Sequence, residues 1–256
     1  MDSLALKLLL TPALIGAASL AGRRWGPEVS GWFVGLPLTS APVVFFVALD
    51  QGLAFAHTAA IGTLAGSLSQ AAFRLAYSWL GSRWRLLPTL FTSTLCFGIA
   101  TAVLHSLSIP LVVLFFLVMA VLGIALRLMP HRLAVAASER RWPAWDLPAC
   151  MILAIAIVLG LTAAAPALGP HLTGLLAPFP LDAAILATFA HHFSGHTSAI
   201  EVLRGLLHGL FAFASFFLVV ASLIEQAGIS VAFVAAIAVT LAVQGASLWI
   251  LRRRRT

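Results

Sequence analysis

Asp182, Thr39, Ser40, Gln70, Arg74 and Gln244 are the side chains of this 256-residue sequence whose type and setting could do chemistry, because each stands in a long apolar run. Asp182 is the sharpest of them. An ionised carboxylate at the centre of a bilayer costs about 2.5–3.5 kcal/mol on insertion scales. A carboxyl held there favours its neutral form and can carry a proton or hold a cation. A water-filled vestibule, or an arginine partner that serves packing alone, would accommodate it as well. Gln70 and Arg74 belong to a series, Thr63, Ser67, Gln70, Arg74 and Tyr77, whose spacing of four and three puts all five on one stripe of a helix. Arg74 is a counter-ion for Asp182 or for an anionic solute, or else a long side chain that reaches the headgroups from near the end of its run. Gln244 and Thr101 are polar at depth and either line a site or bond across helices. Glu201 and Arg204, three apart, read as an ion pair at the membrane surface.

His191, His192, His196 and His208 form the one group with metal-ligand chemistry. His192 and His196 are four apart, but Ser194 and Gly195 lie between them and end a helix there. The group reads as a histidine cluster facing a loop, and no metal is expected. The sequence has no HExxH, no GxSxG and no phosphate-binding loop. Its two cysteines, Cys96 and Cys150, have no framework or metal spacing. No catalytic set assembles, so neither an enzymatic activity nor a cofactor is expected.

The elements that position these residues are read from composition. Hydrophobic residues make up 61% of the chain and charged residues 9%, against roughly a quarter charged in soluble domains. The mean hydropathy is +1.05. Runs of the ~20 apolar residues that cross a ~30 Å hydrocarbon core follow one another, without the alternation of membrane strands. The fold class is all-α, a polytopic membrane protein with about nine transmembrane helices: Leu4 to Leu20, Trp32 to Leu49, Leu53 to Leu80, Leu87 to Leu104, Leu111 to Leu128, Leu147 to Leu168, Leu172 to His191, Ala199 to Ile224 and Val231 to Leu251. The net charge of +7 would suggest nucleic acid in a soluble chain. Here the arginines sit between apolar runs and set topology instead.

Arg23 and Arg24, Arg83 and Arg85, Arg127 with Arg132, Arg140 and Arg141, then Arg204, and finally Arg252 to Arg255 follow the odd-numbered spans, and the other side has only Lys7. An N-out, C-in arrangement satisfies nearly all of them. A signal peptide cleaved after the first span would leave Arg23 and Arg24 outside, which argues against one.

The chain also repeats itself. At an offset of 143 residues, Gly31/Gly174, Pro37/Pro180, Leu38/Leu181, Phe46/Phe189, Gly52/Gly195, Gly62/Gly205, Leu64/Leu207, Gly66/Gly209 and Phe73/Phe216 match without a gap. Residues 1–107 are then one four-helix unit, 108–145 a linking helix and cytoplasmic loop, and 146–256 a second unit with a basic tail. Four spans plus one is odd, so the second unit is inverted, a recurrent plan of secondary transporters. Pro37 and Pro42 in the second span, and Pro178 and Pro180 in the seventh, remove backbone donors at bilayer depth. Such breaks need protein or a polar cavity to meet the freed carbonyls. Gly62 and Gly66, and Gly205 and Gly209, have the small-xxx-small spacing of closely packed membrane helices. The second unit's polar stripe, Glu201, Arg204, His208 and Ser215, is turned by roughly 140° from the first, so the halves share a packing scaffold rather than a set of ligands.

Gly31-Trp32, Leu36 to Ser40 and Asp50-Gln51-Gly52, with Gly174, Phe179-Pro180, Gly195 and Leu203-Arg204, resemble the GlpM family and similar small four-span bacterial membrane proteins. The resemblance covers both units but not the fifth span. It implies a fused antiparallel pair of such proteins and lends no functional residue. Taken together, these readings predict a transporter or exporter of a small solute in a bacterial cytoplasmic membrane. Its site lies between the second, third, seventh and eighth spans, and its partners are the lipid bilayer and that solute. The alternatives are a structural or accessory protein of envelope or polysaccharide assembly and, third, a metal-dependent intramembrane enzyme.

Overall fold

In α3 (Leu86–His105) the polar side of the helix faces inward and the apolar side outward. Thr89, Ser93, Phe97, Thr101 and Leu104 are buried, while Leu87, Phe91, Leu95, Ile99 and Val103, each four residues on from the last, are 52–74% exposed. Water would reverse that pattern. A hydrocarbon solvent favours it, because inward hydroxyls find partners and outward methyls meet lipid. Thr89 and Ser93 donate to the carbonyls of Arg85 (3.0 Å) and Thr89 (2.7 Å), and Thr101 Oγ1 donates to Ser69 Oγ (3.0 Å) on the neighbouring helix.

The computed structural model describes residues 37–130 and 146–253. Among those residues there is no strand, and most are helical: α1 (Ser40–Gln51), α2 (Leu53–Leu80), α3, α4 (Leu111–Leu128), α5 (Asp146–Leu168), the short α6 (Pro170–Leu176) and the long run α7 (Leu181–Arg253). α7 turns at Gly195 and Gly228 into the segments 181–194, 196–227 and 229–253. Among the described residues three helices are long and apolar enough to cross a membrane: Leu86–His105, Leu111–Leu128 and Gly195–Ala246, the last bent at Gly228. The first expected span, Leu4 to Leu20, and the start of the second lie outside the described residues.

Glycine makes the corners. Gly52, Gly169, Gly195 and Gly228 have φ of 92°, 75°, 84° and 77° with ψ of 167–175°, a region essentially closed to residues with a Cβ. One such residue redirects the chain with no loop at all, which is why α1 meets α2 across Gly52 alone. The same device corrects the expected loop around His191 to His196, where the chain stays helical on both sides of Gly195. Gly52 and Gly195 are 143 residues apart. So are two backbone bonds at the entry of the helices that precede them: Ala41 N donates to Pro37 O and Ala184 N to Pro180 O, each at 2.8 Å.

α2 is the central helix and packs against α1, α3, α4, α6 and α7. Being surrounded by protein, it needs no continuous apolar surface, and among the described residues it carries more of the buried polar side chains than any other helix. Gly62 and Gly66 make the approach of α6 possible. A Cβ on Gly62 would lie 2.5 Å from His171 O, and one on Gly66 would collide with the Pro178 ring. From the other side, a Cβ on Gly174 would run into the backbone of Ala59. Gly205, by contrast, is exposed and has no atom within 4 Å of where its Cβ would stand. Gly62 and Gly66 thus stand at a close approach of two helices, and Gly205 does not. Gly209 is half-buried.

Candidate functional site

The two proline breaks meet. Ser40 begins α1 just after Pro37, is 1% exposed, and donates from Oγ to Ala177 O (3.1 Å), the carbonyl immediately before Pro178. Pro178 cannot donate at that position, so the chain between α6 and α7 runs through a turn at Ala177-Pro178, and α7 begins after Pro180. A second hydroxyl serves the same stretch: Thr63 Oγ1 reaches Ala59 O (2.8 Å) and Gly174 O (3.1 Å). Pro42, expected to break the second span, instead sits in the first turn of α1, where the amide it lacks would have had no helical partner. Thr39 is the half-buried N-cap residue and makes no side-chain cap bond.

From this junction the stripe of α2 runs inward as one buried file. Thr63, Ser67, Gln70, Arg74 and Tyr77 are 0–5% exposed. Arg74, at 2%, lies inside the protein. Ser67 Oγ and Gln70 Oε1 have no protein hydrogen-bond partner. Buried polar atoms without a partner cost about 1–3 kcal/mol each, so two on one stripe, one turn beyond the proline junction, make a polar surface able to receive a ligand's hydrogen bonds. At its far end, Tyr77 Oη lies 3.3 Å from His191 Nδ1, with the two rings edge to face at 6.1 Å.

Asp182 falls in the first turn of α7, two residues after Pro180. Its backbone position is thus at a helix start, where the unpaired amides and the helix dipole favour an acidic residue. Its side chain lies outside the described residues. Gln244 is on the last segment of α7, 6% exposed, with Oε1 unpartnered. Its counterpart Thr101 bonds across helices to Ser69. The structure thus joins Ser40 to the second break and aligns Gln70 with Arg74, and among the described residues no bond links Gln244 to them. Arg204 Nη2 donates to Leu126 O (2.9 Å), a carbonyl in the last turn of α4. That contact closes a helix end and goes beyond the expected interfacial role. Among the described residues no three of His, Cys, Asp or Glu converge as a metal site.

Three contacts had no sequence reading. His57 Nδ1 lies 2.7 Å from Ala221 O and 4.0 Å from Glu225, His105 stacks on His171 at 5.6 Å, and Tyr77 meets His191. Tyr77 and His191 were each conspicuous alone, but partners 114 residues apart leave no local signal.

No family model matches the chain, and neither does any curated protein or solved structure.

Proposed function

We propose that this chain carries a small polar solute across a bacterial cytoplasmic membrane, N-terminus outside, using two inverted four-helix repeats joined by α4. The observation that carries the proposal is the buried file of α2, whose Ser67 Oγ and Gln70 Oε1 lack protein partners one turn from where the Pro37 and Pro180 breaks meet through Ser40. Support for the repeat comes from helix limits: 143 residues added to α1 and α2 give 183–194 and 196–223, which fall within the first two segments of α7. The resemblance to GlpM-like four-span proteins agrees with such a fusion. Thr39, Ser40, Gln70, Arg74 and Gln244 are the polar contacts of the proposed site, and Asp182 is its proton or cation carrier.

The test is solute uptake into proteoliposomes under an imposed pH gradient, with amino acids, neutral sugars and small amines supplied in turn and pyranine reporting internal pH. One class should enter with a pH change that Asp182→Asn abolishes in folded protein. Uptake unchanged in Asp182→Asn and in Gln70→Ala would remove the proposed site. A structural or accessory role is the second reading. It is favoured by a specific observation, that the carbonyls of Gly174 and Ala177 are already met by Thr63 and Ser40. It predicts flux no greater than that of empty liposomes for every solute.

A further inference from the structure

The inner end of α2 carries a groove that the proposed transport does not use. Leu75, Ala76, Trp79 and Leu80 of α2 and Leu128 of α4 line an apolar cavity of about 520 Å³. It opens outward: Trp79 is 51% and Leu128 54% exposed. Basic residues flank it at both edges. Arg83 and Arg85 follow α2 directly, Arg127 is in the last turn of α4, and all three are exposed. Neither flanking segment, 75–86 or 122–130, contains an acidic residue. Among the described residues no ion pair holds any of the three guanidinium groups. Trp84, 47% exposed, and Trp79 are the amphipathic rings that settle at headgroup depth.

We infer that this groove binds an anionic phospholipid, one acyl chain lying against Leu75, Ala76, Leu80 and Leu128 and the phosphate meeting Arg83, Arg85 and Arg127. The apolar lining accounts for the chain and the unpaired arginines for the charge. A free phosphate would satisfy only the second, and a zwitterionic lipid would bring an ammonium group with its phosphate into the field of three arginines. Guanidinium groups at two helix ends beside the groove suit a phosphate's several acceptor oxygens better than ammonium groups would. The inference needs only a membrane location and stands whether or not the chain transports.

Native mass spectrometry of the detergent-purified chain tests it, with phosphatidylglycerol and phosphatidylcholine of the same acyl chains as probes and glycerol 3-phosphate as the chain-free anion. Phosphatidylglycerol should be retained in preference. Each of Arg83→Gln, Arg85→Gln and Arg127→Gln should weaken it about fivefold, the effect of one basic residue at an anionic surface. Ala76→Trp, which fills the groove, should displace both lipids while leaving the arginines in place. Equal retention of the two lipids, or an arginine triple variant that still prefers phosphatidylglycerol, overturns the inference. Displacement of the lipid by equimolar glycerol 3-phosphate would also overturn it, by showing that the acyl chain contributes nothing.

Discussion

Replacing Gly174 by alanine tests the junction of α2 and α6 most directly. The new Cβ would collide with Ala59 O and lie 2.8 and 2.9 Å from that residue's carbonyl carbon and Cα. All three are backbone atoms, so no side-chain rotation relieves the contact, and α6 has to move off α2. Movement stretches the Thr63 Oγ1 bond to Gly174 O, 3.1 Å in the native chain. Overpacking costs about 1–3 kcal/mol, and an interhelical hydrogen bond in a membrane protein averages about 0.6 kcal/mol with a maximum near 1.7. Alanine recovers at most about 1 kcal/mol of helix propensity. Gly205→Ala is the control, at an exposed helical position with no atom near its Cβ, so it gains the propensity without the clash. The two variants should therefore differ by about 2–4 kcal/mol. Titration with SDS in mixed micelles, followed by far-UV circular dichroism, measures the difference, and Thr63→Ala separates the lost bond from the collision. If Gly174→Ala unfolds at the same SDS fraction as Gly205→Ala, the close approach of α6 to α2 is not what holds this region together.

Two further outcomes follow from the same junction and from the histidine pair at the start of α6. Ser40→Ala leaves Ala177 O without its 3.1 Å donor and should cost about 0.6–1.7 kcal/mol in the same titration, whereas Ser82→Ala, at an exposed turn, should cost less than about 0.5 kcal/mol. His171 precedes the expected seventh span, and burial, then the neighbouring His105, hold it below the ordinary value of 6.5. The folded chain thus binds fewer protons there than the unfolded chain. The associated stability is present above pH 6.5 and is lost as the pH falls through that value toward the lowered one. Thermal unfolding in detergent should show a fall in melting temperature across that window which His171→Gln reduces. An unchanged pH profile in His171→Gln would refute it.

Much of the helix plan was legible because membrane helices are punctuated by backbone chemistry. Gly52 separates two helices where the expected spans part, and the break expected at Pro180 is where α7 begins, since a positive φ or a missing amide cannot be supplied by other residues in their place. The expected span Leu111 to Leu128 coincides with α4, and Leu87 to Leu104 falls one residue short of α3 at each end. The buried stripe of α2 was legible too, because five polar residues at helical spacing have to share a face. Pro42 misled, since a proline costs nothing in a first turn, and which turn it occupies depends on where the preceding break lies.

What the sequence determined by itself is therefore a set of apolar helices, their corners, and the helix face that collects polar side chains. Which atoms those side chains meet was decided only by the tertiary structure. Ser40 finds Ala177, Thr63 finds Gly174, Tyr77 finds His191 and Arg204 finds Leu126 across 78 to 137 residues. The physical reason is the solvent. In water an apolar stripe marks the side of a helix that packs inward, but in lipid both sides of α3 are served by apolar residues, and Leu87, Phe91, Leu95, Ile99 and Val103 face out while Phe97 and Leu104 face in. Composition alone cannot tell those faces apart, and only the packing of α2 against its neighbours assigns them.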